Sequence, residues 1–282
     1  MVVHFGGSVG DVFMITFLFW NLKKKPLESV VTNLALRHEV DVLMLVECEI
    51  PPPVMLKALN QEETQFHSSV SQCDKVVIYT RFPWQFIKPV FETDRITIRR
   101  VTLPAMTEIL LAVVHFPTKL HYSNSSQSIE TTQLARDIRF TEQEIGHSKT
   151  VLVGDLNMNP FEDGLVAAAG LNAVMTRKIA SRKTRTVQSR EYPFFYNPMW
   201  GHFGDATEGP PGTYYYSRSE QVTFFWNMFD QVLLRPDAIP FFQHESLKIL
   251  STDGTTSFLT EKGYPDKTSV SDHLPILFRL DL

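Results

Sequence analysis

Thr150-Val151-Leu152-Val153 passes without a break into Gly154-Asp155-Leu156-Asn157, and this junction constrains the chain more than any other segment. The first half is a β-branched run that reads as a buried strand. The second half ends that strand in a carboxylate and an amide, which do not remain inside a core without partners. Side chains on consecutive strand residues point to opposite faces, so Asp155 and Asn157 are expected on one face with Leu156 packed on the other.

The same grammar recurs along the chain. Trp20-Asn21 ends a first apolar strand, Val46-Glu47 a second and Val114-His115 a third, and Phe229-Asp230-Gln231 and Asp272-His273 complete the set. Six or seven polar groups at the ends of apolar strands are a costly pattern if stability is their only purpose, because each must find a hydrogen-bond partner.

Between these junctions the chain alternates strands and helices. The apolar run Val12 to Trp20 reads as a core strand, too short to span a bilayer and without a basic flank or cleavage pattern. Helical spacing over Glu28 to His38 precedes a strand from Val40 to Val46, and Pro51-Pro52-Pro53 predicts a loop before a short helix. Strands follow at Val76 to Arg81, Gln85 to Phe91, Ile96 to Leu103 and Ile109 to Phe116, spaced closely enough for antiparallel pairing. Gln127 to Ile145 reads as a helix, and Asn159-Pro160-Phe161-Glu162 as a helix start capped by Asn159. Residues 177–212 read as loop-rich, and strands resume at Tyr214, Thr223 to Leu234 and Pro275 to Leu280. This order predicts an α+β fold, a four-layered α/β/β/α sandwich of two packed mixed, largely antiparallel sheets.

With 282 residues, 43% of them hydrophobic, and no linker or repeat, the chain reads as a single domain over 1–282 with 1–12 as a loosely attached N-terminus. A net charge of -4 argues against nucleic-acid binding through overall positive charge but leaves room for a local basic groove. Cys48 and Cys73 are too few for a disulfide framework, and reduced thiols with no signal segment fit a cytoplasmic protein.

Hard oxygen ligands, a carboxylate placed to activate water and imidazoles placed to face an anion are the groups that phosphoester hydrolysis requires. Trp20-Asn21-Leu22, the Glu47 strand, Val114-His115-Phe116, Gly154-Asp155-Leu156-Asn157, Asp230-Gln231-Val232 and Ser271-Asp272-His273 follow one another in an order that resembles the endonuclease/exonuclease/phosphatase superfamily. The resemblance covers the chain from Phe17 to Leu280. It implies Glu47 as the main Mg2+ ligand, with Mn2+ as a substitute, and Asn21 and Asp272 as nearby ligands. It implies Asp155 as the base for the attacking water, Asn157 as its holder, His273 paired with Asp230, and His115 as a second imidazole. A carboxylate partner for His115 would fall near Asp74 and Lys75, and some branches also use a tyrosine.

Taken singly, each residue has a plainer reading: Asn21 as a loop cap, Glu47 as a surface residue, Asp155 with Asn157 as a turn, Asp272 as a capping partner, His115 as a core histidine. Six such coincidences in family order weigh against those readings. Lys23-Lys24-Lys25 reads as a solvated loop, or as an attractor of a phosphate backbone.

Substrate contacts are expected from the basic stretch Arg177, Lys178, Arg182, Lys183 and Arg185, and from His202. The aromatic residues from Tyr192 to Tyr216 either stack on bases or build core. The expected activity is a magnesium-dependent phosphodiester hydrolase acting on DNA or RNA. A phosphatase for a small phosphorylated molecule and a non-catalytic binding module are the alternatives, and the partner is nucleic acid or a phosphorylated small molecule with no membrane segment.

Overall fold

The computed structural model describes residues 13–61, 65–68, 70–119 and 122–282. The N-terminal segment 1–12 expected to be loosely attached, with Val12 at its end, lies outside them.

The first strand, β1 (Met14–Asn21), leads through helix α1 (Glu28–Arg37) to β2 (Val42–Val46), helix α2 (Pro52–Leu59), and β3 (His67–Ser68) and β4 (Val76–Thr80). Next, β5 (Ile87–Glu92), β6 (Ile96–Val101) and β7 (Ile109–His115) run antiparallel to one another. The long helix α3 (Asn124–Ile145) then crosses over to β8 (Thr150–Asp155), which is parallel to β7. Beyond it come α4 (Asp163–Val166), β9 (Ala173–Val174), α5 (Arg177–Ala180), β10 (Thr184–Val187), β11 (Arg190–Pro193) and β12 (Phe195–Tyr196). The hairpin of β13 (Tyr214–Tyr216) and β14 (Phe225–Asn227) precedes β15 (Asp230–Leu234), β16 (Phe242–Ile249) and β17 (Ile276–Asp281).

Six strands form one sheet in the order β16-β17-β1-β2-β4-β3, and seven form the other in the order β5-β6-β7-β8-β15-β12-β9. The period of two decides what each face meets. On β7, Ile109, Leu111 and Val113 join the core shared with the first sheet, whereas Leu110, Ala112 and Val114 pack with Leu134, Ala135 and Ile138 of α3. Val151 and Val153 of β8 follow the first set and Leu152 the second. These side chains are buried, and each Val, Leu or Ile among them stabilises the fold by about 1.5–3 kcal/mol. With α1 and α2 packed through Val31, Leu34, Met55 and Leu59, the layers are helix, sheet, sheet, helix.

Local signals set the ends of α3. The Ser123 hydroxyl accepts from Ser126 N at 3.2 Å, and Gly146 closes the helix at φ 87°. Three local expectations change. The prolines do not precede α2 but open it: Pro52 and Pro53 occupy its first turn, where the missing N–H groups have no intrahelical acceptor to lose. Asn159 does not cap a helix. Its Nδ2 donates to Asn227 Oδ1 (2.9 Å) and its Oδ1 accepts from Met228 N (2.9 Å), so residues 159–162 form a turn and α4 starts at Asp163. Glu162 still reaches back to Asn159 N at 2.8 Å. The stretch 177–212 is not all loop, because Thr184–Val187 and Arg190–Pro193 pair as an antiparallel hairpin.

Candidate active site

Strand β8 lies between β7 and β15, and its register sets three polar residues side by side: Asp155 is the Cα partner of His115 on one flank and of Asp230 on the other. All three share the parity of Val113, Val153 and Val232, so their side chains continue the face turned toward the first sheet. The backbone leaves no room for a side chain just before Asp155. A Cβ on Gly154 would lie 2.1 Å from the Val114 carbonyl oxygen, so only glycine fits there.

The first sheet meets this row from the other side. Asn21, at the end of β1, donates from Nδ2 to Asp155 Oδ2 (3.0 Å) and to Glu47 Oε1 (3.2 Å). Glu47 follows β2 with a left-handed φ of 46°, a conformation that costs a non-glycine residue about 1 kcal/mol and that turns the chain at the end of the strand. The segment carrying Asp272 and His273 is tied down by Ser271 Oγ, which donates to the Asn21 carbonyl (2.7 Å), and by Trp20 Nε1, which donates to the His273 carbonyl (2.9 Å).

Two imidazoles converge on Asp155. His115 Nε2 lies 3.9 Å from Asp155 Oδ2 and 3.5 Å from Glu47 Oε1, and His273 Nε2 lies 3.9 Å from the same Asp155 oxygen. The carboxylate neighbours of His115 are therefore Glu47 and Asp155; Asp74 is exposed on the loop before β4. On its other side His273 Nδ1 meets Asp230 Oδ2 at 2.8 Å.

Burial by itself would lower the pKa of His273, but the carboxylates of Asp230 and Asp155 outweigh it and push it up to about 10. Burial also raises the Asp230 carboxyl. The two shifts compete for one proton, and with three carboxylates around a single ring we place it on the imidazole. The Glu47 carboxyl is held down at about 2, chiefly by the hydrogen bond from His115, against burial, with help from the Asn21 amide.

Two groupings offer metal ligands. Atoms of Asp155, Asp230 and His273 lie within 4.8 Å of one another. His273 is protonated there, so its ring has no lone pair for a metal and its charge already offsets one of the two carboxylates. Glu47 and Asp272, both within the electrostatic reach of Lys23, carry the donors a hard divalent ion takes: Glu47 is ionised, Asp272 Oδ1 is buried without a hydrogen-bond partner, and the donors are oxygens. Asn21 Oδ1 already accepts from Lys23 N (2.9 Å), which leaves one lone pair for an ion.

Asn157 joins the rim by a route other than strand alternation. The strand stops at Asp155, Asn157 adopts φ 49°, and its N–H donates to Asp155 Oδ1 (2.9 Å) while Nδ2 donates to the Phe116 carbonyl (2.9 Å). It lines the same 510 Å³ cleft as Glu47, Asp155 and His273.

The basic residues 177–185 lie elsewhere. Strand β15 runs from Asp230 at the rim to Leu234 at the far end, and Tyr196, the partner of Leu234, belongs to the strand that packs against α5. Lys183 Nζ pairs with Asp237 Oδ1 (2.9 Å) and Arg185 donates to the Val166 carbonyl (3.2 Å). None of Arg177, Lys178, Arg182, Lys183, Arg185 or His202 is among the residues lining the cleft. His202 closes the turn Pro198–His202, whose Trp200 packs on Phe161, and burial lowers its pKa.

The cleft contains two cations that the linear pattern did not single out, Lys119, which pairs with Glu162, and Arg218, which lies over the Tyr216 ring at 4.9 Å. Of the residues it did name, Tyr214 packs on the His273 ring at 4.8 Å and Lys23 binds Asp272. Thr213 Oγ1 accepts from both Phe229 N (3.2 Å) and Asp230 N (3.0 Å), which sets the start of β15. A residue before a distant strand carries no local signal for such a role. The run Tyr214-Tyr215-Tyr216 was the nearest hint of the cleft wall.

Two sheets that converge on a rim of carboxylates, amides and imidazoles define a phosphoric ester hydrolase. The chain belongs to the Endonuclease/Exonuclease/phosphatase family, whose sequence model matches residues 18–273. Enzymes of this family generally depend on a divalent metal. No curated protein matches the chain in sequence. Among solved structures, it is similar to the endonuclease domain of TRAS1, a telomere-specific non-LTR retrotransposon, at 15% identity over 95% of this chain and 99% of that one, with a TM-score of 0.52. The human Nocturnin catalytic domain with bound sulfate is 15% identical over 95% and 94%, at 0.55. D. rerio TDP2 complexed with a single-strand DNA product is 14% identical over 95% and 99%, also at 0.52. At these identities the likeness is one of fold. Among the described residues no helix is long and apolar enough to cross a membrane.

Proposed function

We propose that this chain is a magnesium-dependent nuclease, with Mn2+ able to replace Mg2+, that hydrolyses DNA or RNA phosphodiester bonds by in-line attack of water on phosphorus. The observation that carries this reading is the alignment of His115, Asp155 and Asp230 on three adjacent strands, facing Glu47, Asn21 and His273 across one rim. A second cavity of 690 Å³ shares Tyr214 and Tyr216 with the cleft above them. Two cavities with a shared aromatic wall suit a chain substrate longer than one residue. Lys119 and Arg218 supply positive charge in the cleft, and Tyr214, Tyr216 and Phe224 supply ring faces.

Bound on Glu47 and Asp272, a divalent ion would polarise a phosphoryl oxygen as a Lewis acid. The chain's own residues do the rest. Asp155, held by Asn21 and Asn157, accepts a proton from the attacking water as the new P–O bond forms and the ester P–O bond breaks. The charged His273, fixed through Nδ1 by Asp230, turns Nε2 toward the phosphate oxygens and stabilises charge in the five-coordinate transition state. Asn157 holds the water or a phosphate oxygen, and His115 faces the phosphate or the leaving oxygen.

End-labelled single-stranded DNA, double-stranded DNA and RNA incubated with the protein and Mg2+ test the reading. Cleavage that disappears with chelator and in D155N supports it, and its absence on all three counts against it. The acidic net charge of -4 favours a second reading, a phosphatase for a small phosphorylated molecule. Under that reading, inorganic phosphate release from nucleotides or inositol phosphates exceeds any cleavage of polymer.

A further inference from the structure

One cation of the rim has no part in this chemistry. Of three consecutive lysines, Lys24 pairs outward with Glu49 (2.9 Å) and Lys25 donates to the Thr268 carbonyl (2.9 Å). Lys23 turns inward, with Nζ 2.8 Å from Asp272 Oδ2, and lines the cleft with Glu47, Asp155 and His273.

The backbone is arranged for that direction. Lys23 and Lys24 both adopt left-handed φ values, 52° and 59°. Lys23 N donates to Asn21 Oδ1 (2.9 Å) and Lys24 N to the Glu47 carbonyl (2.8 Å). Two consecutive lysines in this region are strained, and the bonds that hold them there run to two other members of the rim. The charges around the rim also need such a group. Glu47 has the imidazole of His115 beside it and Asp155 has both His115 and His273, whereas among the described residues Lys23 is the cation ion-paired with Asp272. The second oxygen of Asp272, Oδ1, is buried without a partner.

We propose that Lys23 is a resident counter-cation of Asp272 that competes with the divalent ion: its ammonium holds Oδ2 of the carboxylate in the metal-free enzyme, and an ion arriving at Asp272 meets a carboxylate whose charge is already offset. The proposal rests on the metal-dependent reading above. It implies that the carboxylates bind metal more weakly than they would without Lys23, and that in the metal-free rim Lys23 offsets the negative charge of both Asp272 and Glu47.

Mn2+ binding measured by electron paramagnetic resonance and by calorimetry, on the wild type, K23M, K23R and K24M, tests it. A half-exposed ion pair limits the effect, so K23M is expected to bind Mn2+ about two- to fivefold more tightly than wild type. K23R is expected to stay near wild type, and so is K24M, which loses the same charge one residue away. Metal-free K23M should melt below wild type, with Mn2+ closing the gap. Unchanged or weaker Mn2+ binding in K23M, or equal tightening in K24M, overturns the competition. If the wild type still cleaves nucleic acid with Mn2+ in that case, the proposed function stands and only the role of Lys23 is lost. If neither the wild type nor K23M binds Mn2+, both readings fall.

Discussion

Asp155 and Asp230 are direct partners across the β8–β15 ladder, and one imidazole serves both: His273 places Nδ1 2.8 Å from Asp230 and Nε2 3.9 Å from Asp155. One carboxylate thus orients and charges the ring, and the other is left to accept a proton from water. Charge on that ring links the site to pH.

The pKa of His273 in the fold, about 10, lies above its ordinary value of 6.5. A raised pKa contributes stability that is complete below pH 6.5 and is lost as pH rises through 10. The hydrolysis rate should fall over the same alkaline limb as the imidazolium disappears. D230N removes the charge that holds the proton and should bring that limb down by about one to three pH units. A pH–rate profile of wild type against D230N checks this, and coincident profiles would separate the limb from His273.

Glu47 behaves in the opposite sense. Its carboxyl is depressed to about 2 from 4.5, so its contribution to stability is present above pH 4.5 and is lost as pH falls toward 2. E47Q removes a metal-ligand charge, and calorimetry should show Mn2+ binding weakened about tenfold or more. Chelator should abolish wild-type cleavage, and added Mg2+ should restore it.

D155N keeps the shape of the side chain that Asn21 and Asn157 hold, yet removes the proton acceptor. Cleavage should drop by about 10²- to 10⁴-fold while the protein still melts cooperatively. A rate within tenfold of wild type would transfer the role of base to another group.

G154A tests the geometry beneath the chemistry. The added methyl meets the Val114 backbone, whose oxygen would be 2.1 Å away, so β7 and β8 must part. Urea denaturation should show a loss of about 1–3 kcal/mol, and cleavage should fall further than that instability explains because Asp155 moves with the strand.

K183M and R185M, made together, address the basic hairpin. Lys183 pairs with Asp237 beyond β15, Arg185 with the Val166 carbonyl, and neither lines the cleft, so KM for DNA should stay within about twofold, with only the small stability loss of an exposed pair, about 0.2–1 kcal/mol. A large rise in KM would bring that face into substrate binding.

Local pattern carried much of the architecture. The strands at Ile109–His115 and Thr150–Asp155, the helix ending at Ile145 and the layered class all follow from apolar runs of the right length and from the 3.6-residue period. The same pattern failed at Asn159 and at Thr184–Val187. Asn159 has the local signature of a cap but bonds to Asn227 and Met228, nearly seventy residues away, and the basic hairpin lacks an apolar period because neither strand is buried.

The order of the polar junctions, and with it the family, could be read from the chain alone, because each junction is a few residues at the end of an apolar strand. Which atoms meet could not. Lys23 and Asp272 are 249 residues apart, and a solvated lysine has the same local sequence as one aimed at a carboxylate. His115 faces Glu47 rather than Asp74 because the two sheets close against each other, and the charge on His273 depends on carboxylates from two other segments. Burial and Coulomb attraction act through space, so the chemistry of the rim was decided only when the sheets packed.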